Sequence, residues 1–561
     1  MLVPKLVTTL KGYTRRQFLA DTTAGAIVGI VALPLAIAFA IGSGVPPQAG
    51  LYTAIIAGFL ISALGGSKVQ IGGPTGAFVV IVYGVVQRYG VEGLTIATIM
   101  AGVILVVMGL ARLGGAIKFI PQPVVTGFTS GIAVIIASGQ VRDFLGLQMG
   151  KVPAEFVQRI EALAGSIESA SPWAAAIAVL TVLIVVYWPR VTTRVPSPAV
   201  ALVVTTLVAQ LAHLPVESIG SRFGTIDASF PALHFPSVTV QLLRELVAPA
   251  FTIAMLGGIE SLLSAVVADG MIGSRHRSNM ELVGQGVANI VTPMFGGIPA
   301  TGAIARTATN IRSGGRTPVA GIVHALTLLA ITLFFGRWAS LIPMATLAGI
   351  LMVVAYHMSE WRTFRSTLAA PRSDIAVLLV TFGLTVLVDL TVALGVGMVL
   401  ASFLFMRKMA AVTQVNAVTE LFAEDGEDGG DVPRPQIPRG VVVYEIDGPF
   451  FFGAAATFKE TMGTLAAPPK ALLLGMSKVD LLDATGLSLI KELAHKGFTG
   501  GTRLVLYGVH SQPRRVMENA GLLEELGADN CVETIEQALE RAEIYAQRKT
   551  PPGVKVQGAG R

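Results

Sequence analysis

Two ionisable residues of this chain lie within apolar runs, where a charge is costly. Glu260 stands in the middle of 255–263, and Arg306 follows the segment 297–303, Gly-Ile-Pro-Ala-Thr-Gly-Ala. A charge in hydrocarbon costs several kcal/mol unless it is paired, neutralised or exposed to water, so such residues usually serve a function. A carboxyl group there can carry a proton, and a planar guanidinium matches the oxygens of a carboxylate or sulfate. Two structural alternatives remain open: Glu260 only neutralises Arg306, or Arg306 only tethers neighbouring segments.

A segment similar to the one before Arg306 occurs earlier in the chain, at 72–77, Gly-Gly-Pro-Thr-Gly-Ala. Both segments read Gly, Pro, Thr, Gly, Ala and then an apolar run, which predicts half-helices beginning at Thr75 and Thr301. Their free N–H groups and positive dipole ends would face a cavity and favour an anion. The alternative is a pair of ordinary turns in loops, where Arg306 is hard to place. The residues predicted to offer backbone or hydroxyl contacts to an anion are Thr75, Gly76, Ala77, Gly302, Ala303 and Ile304.

The composition indicates a polytopic membrane protein. Of 561 residues, 53% are hydrophobic and only 14% are charged, whereas soluble domains carry about 25% charged residues. The single cysteine, Cys531, excludes an intramolecular disulfide framework. We find no nucleophile elbow, P-loop or metal-binding cluster in the sequence, so we expect neither an enzyme nor a cofactor. The net charge of +6 is better explained by basic cytoplasmic loops than by nucleic-acid binding.

About fourteen apolar segments are long enough to cross a bilayer or half of it. Counted with the N-terminus inside, the inner loops hold sixteen Lys and Arg and the outer loops seven, so the positive-inside rule favours cytoplasmic termini. Because seven is odd, a second set of seven would enter upside down, which brings the two half-helix starts together near the midplane. The predicted segments are 24–41, 51–64, 75–86, 94–110, 124–138, 174–187, 199–211, 246–268, 282–295, 301–310, 319–335, 341–356, 375–389 and 390–405.

A soluble α/β domain follows the apolar part. We divide the chain into a cytoplasmic segment 1–21, a transmembrane part 22–408, a solvated acidic linker 409–438, the α/β domain 439–548 and a disordered tail 549–561. Strands are predicted at 441–446, 471–476 and 503–507, and helices at 455–465, 485–495, 513–519 and 535–547.

Several motifs resemble the SulP (sulfate permease) anion transporter family. They are 32–40 (Ala-Leu-Pro-Leu-Ala-Ile-Ala-Phe-Ala), 44–52 (Gly-Val-Pro-Pro-Gln-Ala-Gly-Leu-Tyr), 268–269 (Ala-Asp), 279–289 (Asn-Met-Glu-Leu-Val-Gly-Gln-Gly-Val-Ala-Asn) and 304–307 (Ile-Ala-Arg-Thr). The segment 483–486, Asp-Ala-Thr-Gly, resembles the loop of a STAS domain, which follows the membrane part in this family. Within the family, 143–149, 269–271 and 358–360 are most similar to the bacterial aerobic C4-dicarboxylate branch.

This resemblance implies a seven-plus-seven inverted repeat, with spans 1–4 and 8–11 as a core domain and spans 5–7 and 12–14 as a gate. It implies elevator-like movement, a homodimer in the bacterial inner membrane, and a pocket that includes Phe39 of the first span. Leu35 stands where many eukaryotic members have Gln, so this pocket is less polar. Bicarbonate-carrying relatives that use sodium have Asp at the Glu260 position and lack the Arg, so the pair here favours protons.

Two functions follow as hypotheses. The first is proton-coupled uptake of a C4-dicarboxylate or sulfate, with Glu260 as the coupling residue. The second is a bicarbonate or other inorganic-anion transporter, exchanger or passive channel without proton coupling. A membrane-tethered signalling protein would leave the paired half-helices unexplained. Thr485 stands where similar anti-sigma antagonists carry a phosphorylated residue, so it is either a regulatory site or a plain helix cap. His276 is interpreted as a surface residue and Asp269 as a cap or tether of its loop.

Overall fold

The fold is described from a computed structural model of the chain. The residues described are 2–115, 120–150, 152–192, 196–224, 233–388, 390–412, 414–417, 437–451, 453, 455, 458, 459, 462 and 468–547. The chain forms two compact units, Met1–Ala401 and Ser402–Arg561. Most of the predicted linker and the whole predicted tail lie outside the described residues.

The first unit is helical, and each of the fourteen predicted apolar segments corresponds to a helix or to half of one. Seven helices are long and apolar enough to cross a bilayer by length and composition. The helices are α1 (Lys5–Thr9), α2 (Arg15–Gly42), α3 (Pro47–Leu64), α4 (Gly76–Leu110), α5 (Gln122–Leu145), α6 (Phe156–Gly165), α7 (Pro172–Tyr187), α8 (Ser197–Leu211), α9 (Ile219–Phe223), α10 (Val240–Ile272), α11 (Ser278–Met294), α12 (Ile304–Arg312), α13 (Pro318–Ala339), α14 (Met344–Met358), α15 (Trp361–Thr367), α16 (Arg372–Leu387) and α17 (Leu390–Val412).

Several helix boundaries differ from the predicted ones, among them those of α4, α2 and α12. Helix α4 joins two predicted segments, and its break lies at Gly90, whose φ of 69° is a left-handed conformation that suits glycine. Helix α2 begins at Arg15, nine residues before its apolar run, because Thr14 and Gln17 form a capping box there. Helix α12 begins at Ile304 and not at Thr301. Apolar content alone does not locate such ends, which depend on local capping.

Helix packing follows the predicted inverted repeat. Helix α2 packs on α13 in the same way as its equivalent in the other half, α10, packs on α4. Helix α3 likewise packs on α13, and its equivalent α11 packs on α4. Helices α3 and α11, which are equivalent in the two halves, pack against each other. A second group is formed by α5, α7, α8, α14 and α16, in which α5 on α16 matches α14 on α7. The predicted fold class is therefore confirmed.

The second unit contains a five-stranded sheet in the order β3 (Gln414–Ala417), β4 (Val441–Asp447), β5 (Ala471–Lys478), β6 (Arg503–Tyr507) and β7 (Cys531–Val532). Strand β3 is antiparallel to β4, and the other neighbours are parallel. Alternate side chains of β4, β5, β6 and β7 enter two apolar clusters, one on each face. The helices are α18 (Ala484–Gly500), α19 (Ser511–Asn519), α20 (Leu522–Leu526) and α21 (Ile535–Gln547).

The predicted α/β domain is thus longer at its N-terminal side than expected. Strand β3 lies within the stretch predicted as linker, and α17 extends to Val412. A four-residue strand at a sheet edge carries little periodic signal, which explains why the sequence did not reveal it. Strands β4, β5 and β6 lie where they were predicted, whereas most of the predicted helix 455–465 lies outside the described residues.

These boundaries define where the two units can be separated. A chain cut between α17 and β3 keeps every helix of the first unit and removes a sheet that needs its own edge strand. We expect the truncated protein to bind its substrate in detergent with the affinity of the full chain, measured by calorimetry, whatever happens to expression or turnover. A folded truncation without binding would show that the site needs the second unit.

Candidate functional site

The centre of the first unit is a crossing of two extended segments. Strand β1 (Gly72–Gly73) pairs antiparallel with β2 (Thr301–Gly302), with Gly72 opposite Gly302 and Gly73 opposite Thr301. Helix α4 begins at Gly76 and helix α12 at Ile304, immediately after these strands. The sequence prediction that two interrupted segments meet is therefore confirmed, and their hydrogen-bonded partners are each other.

The helices that follow the two segments begin at different positions relative to the sequence pattern that the segments share. Thr75 is the residue before α4, whereas the residue before α12 is Ala303, two positions beyond Thr301. Thr301 belongs to β2, and its Oγ1 donates to the carbonyl oxygen of Gly257 at 2.7 Å. Thr301 and Gly302 therefore do not begin a helix as predicted, because the strand pairing uses their backbone.

Arg306 is the third residue of α12. Its side chain is 2% exposed, its Nη2 donates to the carbonyl oxygen of Pro74, and its Nη1 has no hydrogen-bond partner. Nη1 lies where a side chain on Gly73 would stand, 2.5 Å from a Cβ built there, and the φ of Gly73 is 149°. A glycine at 73 thus allows the guanidinium to reach the crossing and leaves one of its nitrogens available for a ligand.

Glu260 lies on α10 and approaches the crossing from the opposite direction. Its Oε2 accepts a hydrogen bond of 2.8 Å from Oγ1 of Thr75, so the Thr75 hydroxyl does not cap α4. Glu260 and Arg306 form no salt bridge among those found in the described part of the chain. The two side chains thus do not touch as an ion pair, and the alternative in which Glu260 serves only to neutralise Arg306 stays open. Both side chains hold the segment 74–75.

A row of polar side chains on α11 supports the irregular backbone. Asn289 Nδ2 donates to the carbonyl oxygen of Ala300 at 2.8 Å, and its Oδ1 accepts from the N–H of Ala300 at 2.8 Å, as a neighbouring strand would. Oγ1 of Thr53 accepts from the N–H of Ile298 at 2.7 Å. Backbone groups of non-helical segments need such partners at membrane depth. The side chains of Asn289 and Thr53 therefore support the site by satisfying the backbone groups of the segment that leads to it.

Glu281 is a further buried carboxylate, which the sequence prediction of the site did not include. It is fully buried, and its Oε2 accepts from the N–H groups of Gly66 (2.7 Å) and Ser67 (3.0 Å). Its Oε1 accepts from Ser261 Oγ at 3.2 Å and from Gln285 Nε2 at 3.0 Å. Four neutral donors satisfy this carboxylate without a cation, so its role is to fix the 65–68 turn. Glu281, Gln285 and Asn289 recur every fourth residue, a polar helix stripe that the sequence could have revealed.

The remaining predicted site residues lie around the start of α4. Gly76 and Ala77 are buried, and Phe39 of α2 is 5% exposed. A Cβ on Gly76 would stand 3.4 Å from Phe39 Cε1 and 2.6 Å from Met358 Sδ. Met358, which belongs to α14, is a neighbour that the site prediction missed. On the other side, Ile304 is 43% exposed, so its side chain packs little and its contribution is confined to the backbone.

His324 on α13 is a further buried group that was not predicted. It is fully buried and neither ring nitrogen has a hydrogen-bond partner. Its ring stands 3.3 Å from a Cβ built on Gly58, and Gly72 O stands 3.4 Å from the same point. His324 therefore lies directly behind β1, on the side of α3.

A cavity of 1320 Å³ opens beside the first half of α4. Its walls come from α4, α5, the loop before α6, and the α16–α17 turn, and they reach Val79, one turn from Gly76. Arg159 in this wall donates to the carbonyl oxygens of Pro153, Ala154 and Ile135. Arg222 is bound bidentately by Asp143, at 2.7 and 3.0 Å, and also by Glu217.

Two predictions outside the crossing need correction. Asp269 does tether its loop, through His276 N–H (2.7 Å) and Ser274 Oγ (3.2 Å), but the His276 side chain is only 8% exposed and contacts Asp269 at 2.7 Å. In the second unit the cap of α18 is Asp483, whose side chain accepts from the N–H of Gly486 at 2.7 Å. Thr485 is exposed in the first turn of α18 and is not the cap.

Two stretches of the chain match known protein families. Residues 18–381 match the sulfate permease family and residues 433–538 match the STAS domain. The "Putative sulfate transporter YvdB" of Bacillus subtilis (strain 168) is 42% identical over 521 residues, which cover 92% of this chain and 96% of YvdB. The "Bicarbonate transporter BicA" of Picosynechococcus sp. is 31% identical, over 94% of this chain and 95% of BicA.

Solved structures give the same picture. The transmembrane domain of a cyanobacterial bicarbonate transporter BicA is 32% identical, covers 70% of this chain and all of that domain, and has a TM-score of 0.63. The murine anion transporter Slc26a9 in its inward-facing state shares the fold, with a TM-score of 0.86 over 97% of this chain and 94% of that one at 18% identity. These relatives are named as transporters, which agrees with the expectation that the chain is not an enzyme. The chain is a member of the sulfate permease (SulP) family with a C-terminal STAS domain.

Proposed function

We propose that this protein is a secondary active transporter that takes up a small oxyanion together with a proton. The observation that carries the proposal is the crossing of β1 and β2. Two helix starts lie beside it, Arg306 Nη1 there has no partner, and a carboxyl group, Glu260, is held by Thr75. A helix start and a guanidinium both favour an anion.

Glu260 supports the coupling to protons. It reaches the segment before α4 through Thr75, and it has no salt bridge to Arg306 in the described structure. An anion bound near Thr75 and Arg306 would face a like charge on ionised Glu260, and protonation of Glu260 removes that repulsion. The anion and the proton would then travel together.

The substrates we propose are C4-dicarboxylates or sulfate. One oxygen of a carboxylate or sulfate group fits the single nitrogen of Arg306 that has no partner, and a second oxygen fits the helix starts beside it. The name of the relative YvdB favours sulfate. The resemblance of segments 143–149, 269–271 and 358–360 favours the dicarboxylate.

A second candidate function is bicarbonate transport or anion exchange without proton coupling. It is supported by the BicA relative, which is named as a bicarbonate transporter and matches this chain almost from end to end. In that case Glu260 would serve only to hold Thr75. Uptake of labelled succinate, fumarate, sulfate and bicarbonate by proteoliposomes, with and without a pH gradient, separates the two candidates.

The proposal includes the mode of movement and the setting. The core group α2–α4 and α10–α13 would move against the group α5, α7, α8, α14, α16 and α17 in an elevator-like way, within a homodimer of the bacterial inner membrane. Both termini would be cytoplasmic, because the basic loops are concentrated on that side. We also propose the exposed Thr485 as a site of regulation by phosphorylation.

Arg306→Ala is expected to abolish saturable uptake, because no other buried cation is present at the crossing in the described structure. Arg306→Lys keeps the charge and is expected to retain part of the uptake, with affinity lowered about tenfold, because an ammonium lacks the planar geometry that lets the guanidinium donate to Pro74 and to the anion at once. Thermal unfolding of the purified variants checks that the Pro74 contact is not essential for folding. Wild-type affinity and rate in Arg306→Ala would remove Arg306 from the site.

Glu260→Gln imitates the protonated carboxyl permanently. We expect it to bind and exchange substrate but to lose accumulation against a gradient when the outside is acidic. The measurement is labelled uptake into proteoliposomes with an imposed pH difference, and equal-pH exchange in the same vesicles is the internal control. If this variant concentrates substrate as wild type does, Glu260 is not the proton carrier.

A further inference from the structure

Three basic residues meet at one end of the helical unit, at the turn after α3. The N–H of Lys5 donates to the carbonyl oxygen of Gly65 at 3.0 Å, and the N–H of Arg277 donates to that of Gly66 at 2.9 Å. Arg277 Nη1 also donates to the carbonyl oxygen of Val3 at 2.7 Å. Lys68 lies in the same turn, two residues after Gly66. We call Lys5, Lys68 and Arg277 the basic cluster.

The positive charge of the basic cluster is only partly compensated within the described residues: Asp269 opposes the lowering of the Lys5 pKa but does not cancel it. Its three members take part in none of the salt bridges found there. Nearby Asp269 is occupied by His276, and Glu281 is occupied by the N–H groups of the 65–68 turn and by side-chain donors. Partial burial, followed by the charges of Arg277 and Lys68, lowers the pKa of Lys5. The cluster therefore holds like charges together and would gain from a bound anion.

The surroundings of the basic cluster belong to a membrane boundary. Helix α3 ends at Leu64 and helix α10 at Ile272, and both are long apolar helices that can span a bilayer. The N-terminal segment beside the cluster exposes large apolar side chains, including Leu2 (44%), Val7 (54%) and Leu10 (48%). Apolar side chains next to basic ones are typical of segments that lie in the headgroup region of an anionic leaflet.

We propose that the basic cluster binds the phosphate of an anionic phospholipid, whose acyl chains lie against the exposed apolar side chains of segment 2–10. The bound lipid would hold the N-terminal segment against the 65–68 turn. That turn leads directly into β1, so the lipid would also restrain the approach to the crossing. This inference concerns the bilayer and does not depend on which anion is transported.

The experiment titrates phosphatidylglycerol into phosphatidylcholine nanodiscs that contain the full chain. Hydrogen–deuterium exchange of residues 2–12 is expected to slow as the anionic lipid fraction rises. Lys5→Gln and Lys68→Gln should each raise the phosphatidylglycerol fraction at half effect about fivefold, and the double variant should lose the lipid response across the titrated range. Lys5→Glu, which supplies the missing negative charge internally, should slow exchange in phosphatidylcholine alone and abolish the lipid response.

The matched control is Arg362→Gln with Arg365→Gln, which removes two exposed basic residues from α15 and should leave the titration unchanged. Equal thermal midpoints in phosphatidylcholine show that the variants fold. A titration of the Lys5→Gln/Lys68→Gln protein that superimposes on wild type would overturn the proposal. So would inorganic phosphate slowing exchange as effectively as the lipid, because the site would then serve a soluble anion.

Discussion

The structure depends on the need to satisfy backbone polar groups where the chain is not helical inside the membrane. A helix satisfies its own N–H and C=O groups, whereas an interrupted segment leaves several without partners, at a cost of several kcal/mol each in hydrocarbon. Here the two interruptions pair with each other as β1 and β2, and Asn289 and Thr53 take up groups that the short strands leave. Neither interruption would be stable without the other. The site therefore forms only when the two halves pack together.

The buried charges of the first unit follow from this constraint. Glu281 is held by four neutral donors, and Asp21 of α2 accepts from the N–H groups of Arg316 and Thr317 and from the hydroxyls of Thr317 and Tyr13. Both carboxylates therefore serve as fixed acceptors that organise backbone turns. Arg306 differs, because one of its nitrogens is buried without a partner. An unsatisfied buried donor costs stability, and that cost is reasonable where a ligand completes the site.

The sequence predicts the parts of this structure that depend on hydrophobicity and fails for those that depend on specific contacts. Apolar length locates α3, α7 and α8 within a few residues, and loop charges by themselves indicate an inverted repeat. The offset between Thr75 and Thr301 could not be predicted, because strand pairing decides which residues precede each helix. The contact of Glu260 with Thr75 joins residues 185 positions apart, and no local pattern encodes it. Strand β3 was missed because its four residues are specified by the neighbouring strand β4.

The two-residue offset also bears on how such a protein could arise from duplication of a single ancestral half. In the first half the position before the helix is a threonine whose hydroxyl serves a carboxyl group, and in the second it is Ala303, with Arg306 two residues after the helix begins. Two copies of the first half would bring together two hydroxyl groups and no cation, and two copies of the second would set two guanidinium groups against each other. The two halves must therefore have acquired their different site residues after their sequences ceased to be identical. The site depends on the differences between the two halves.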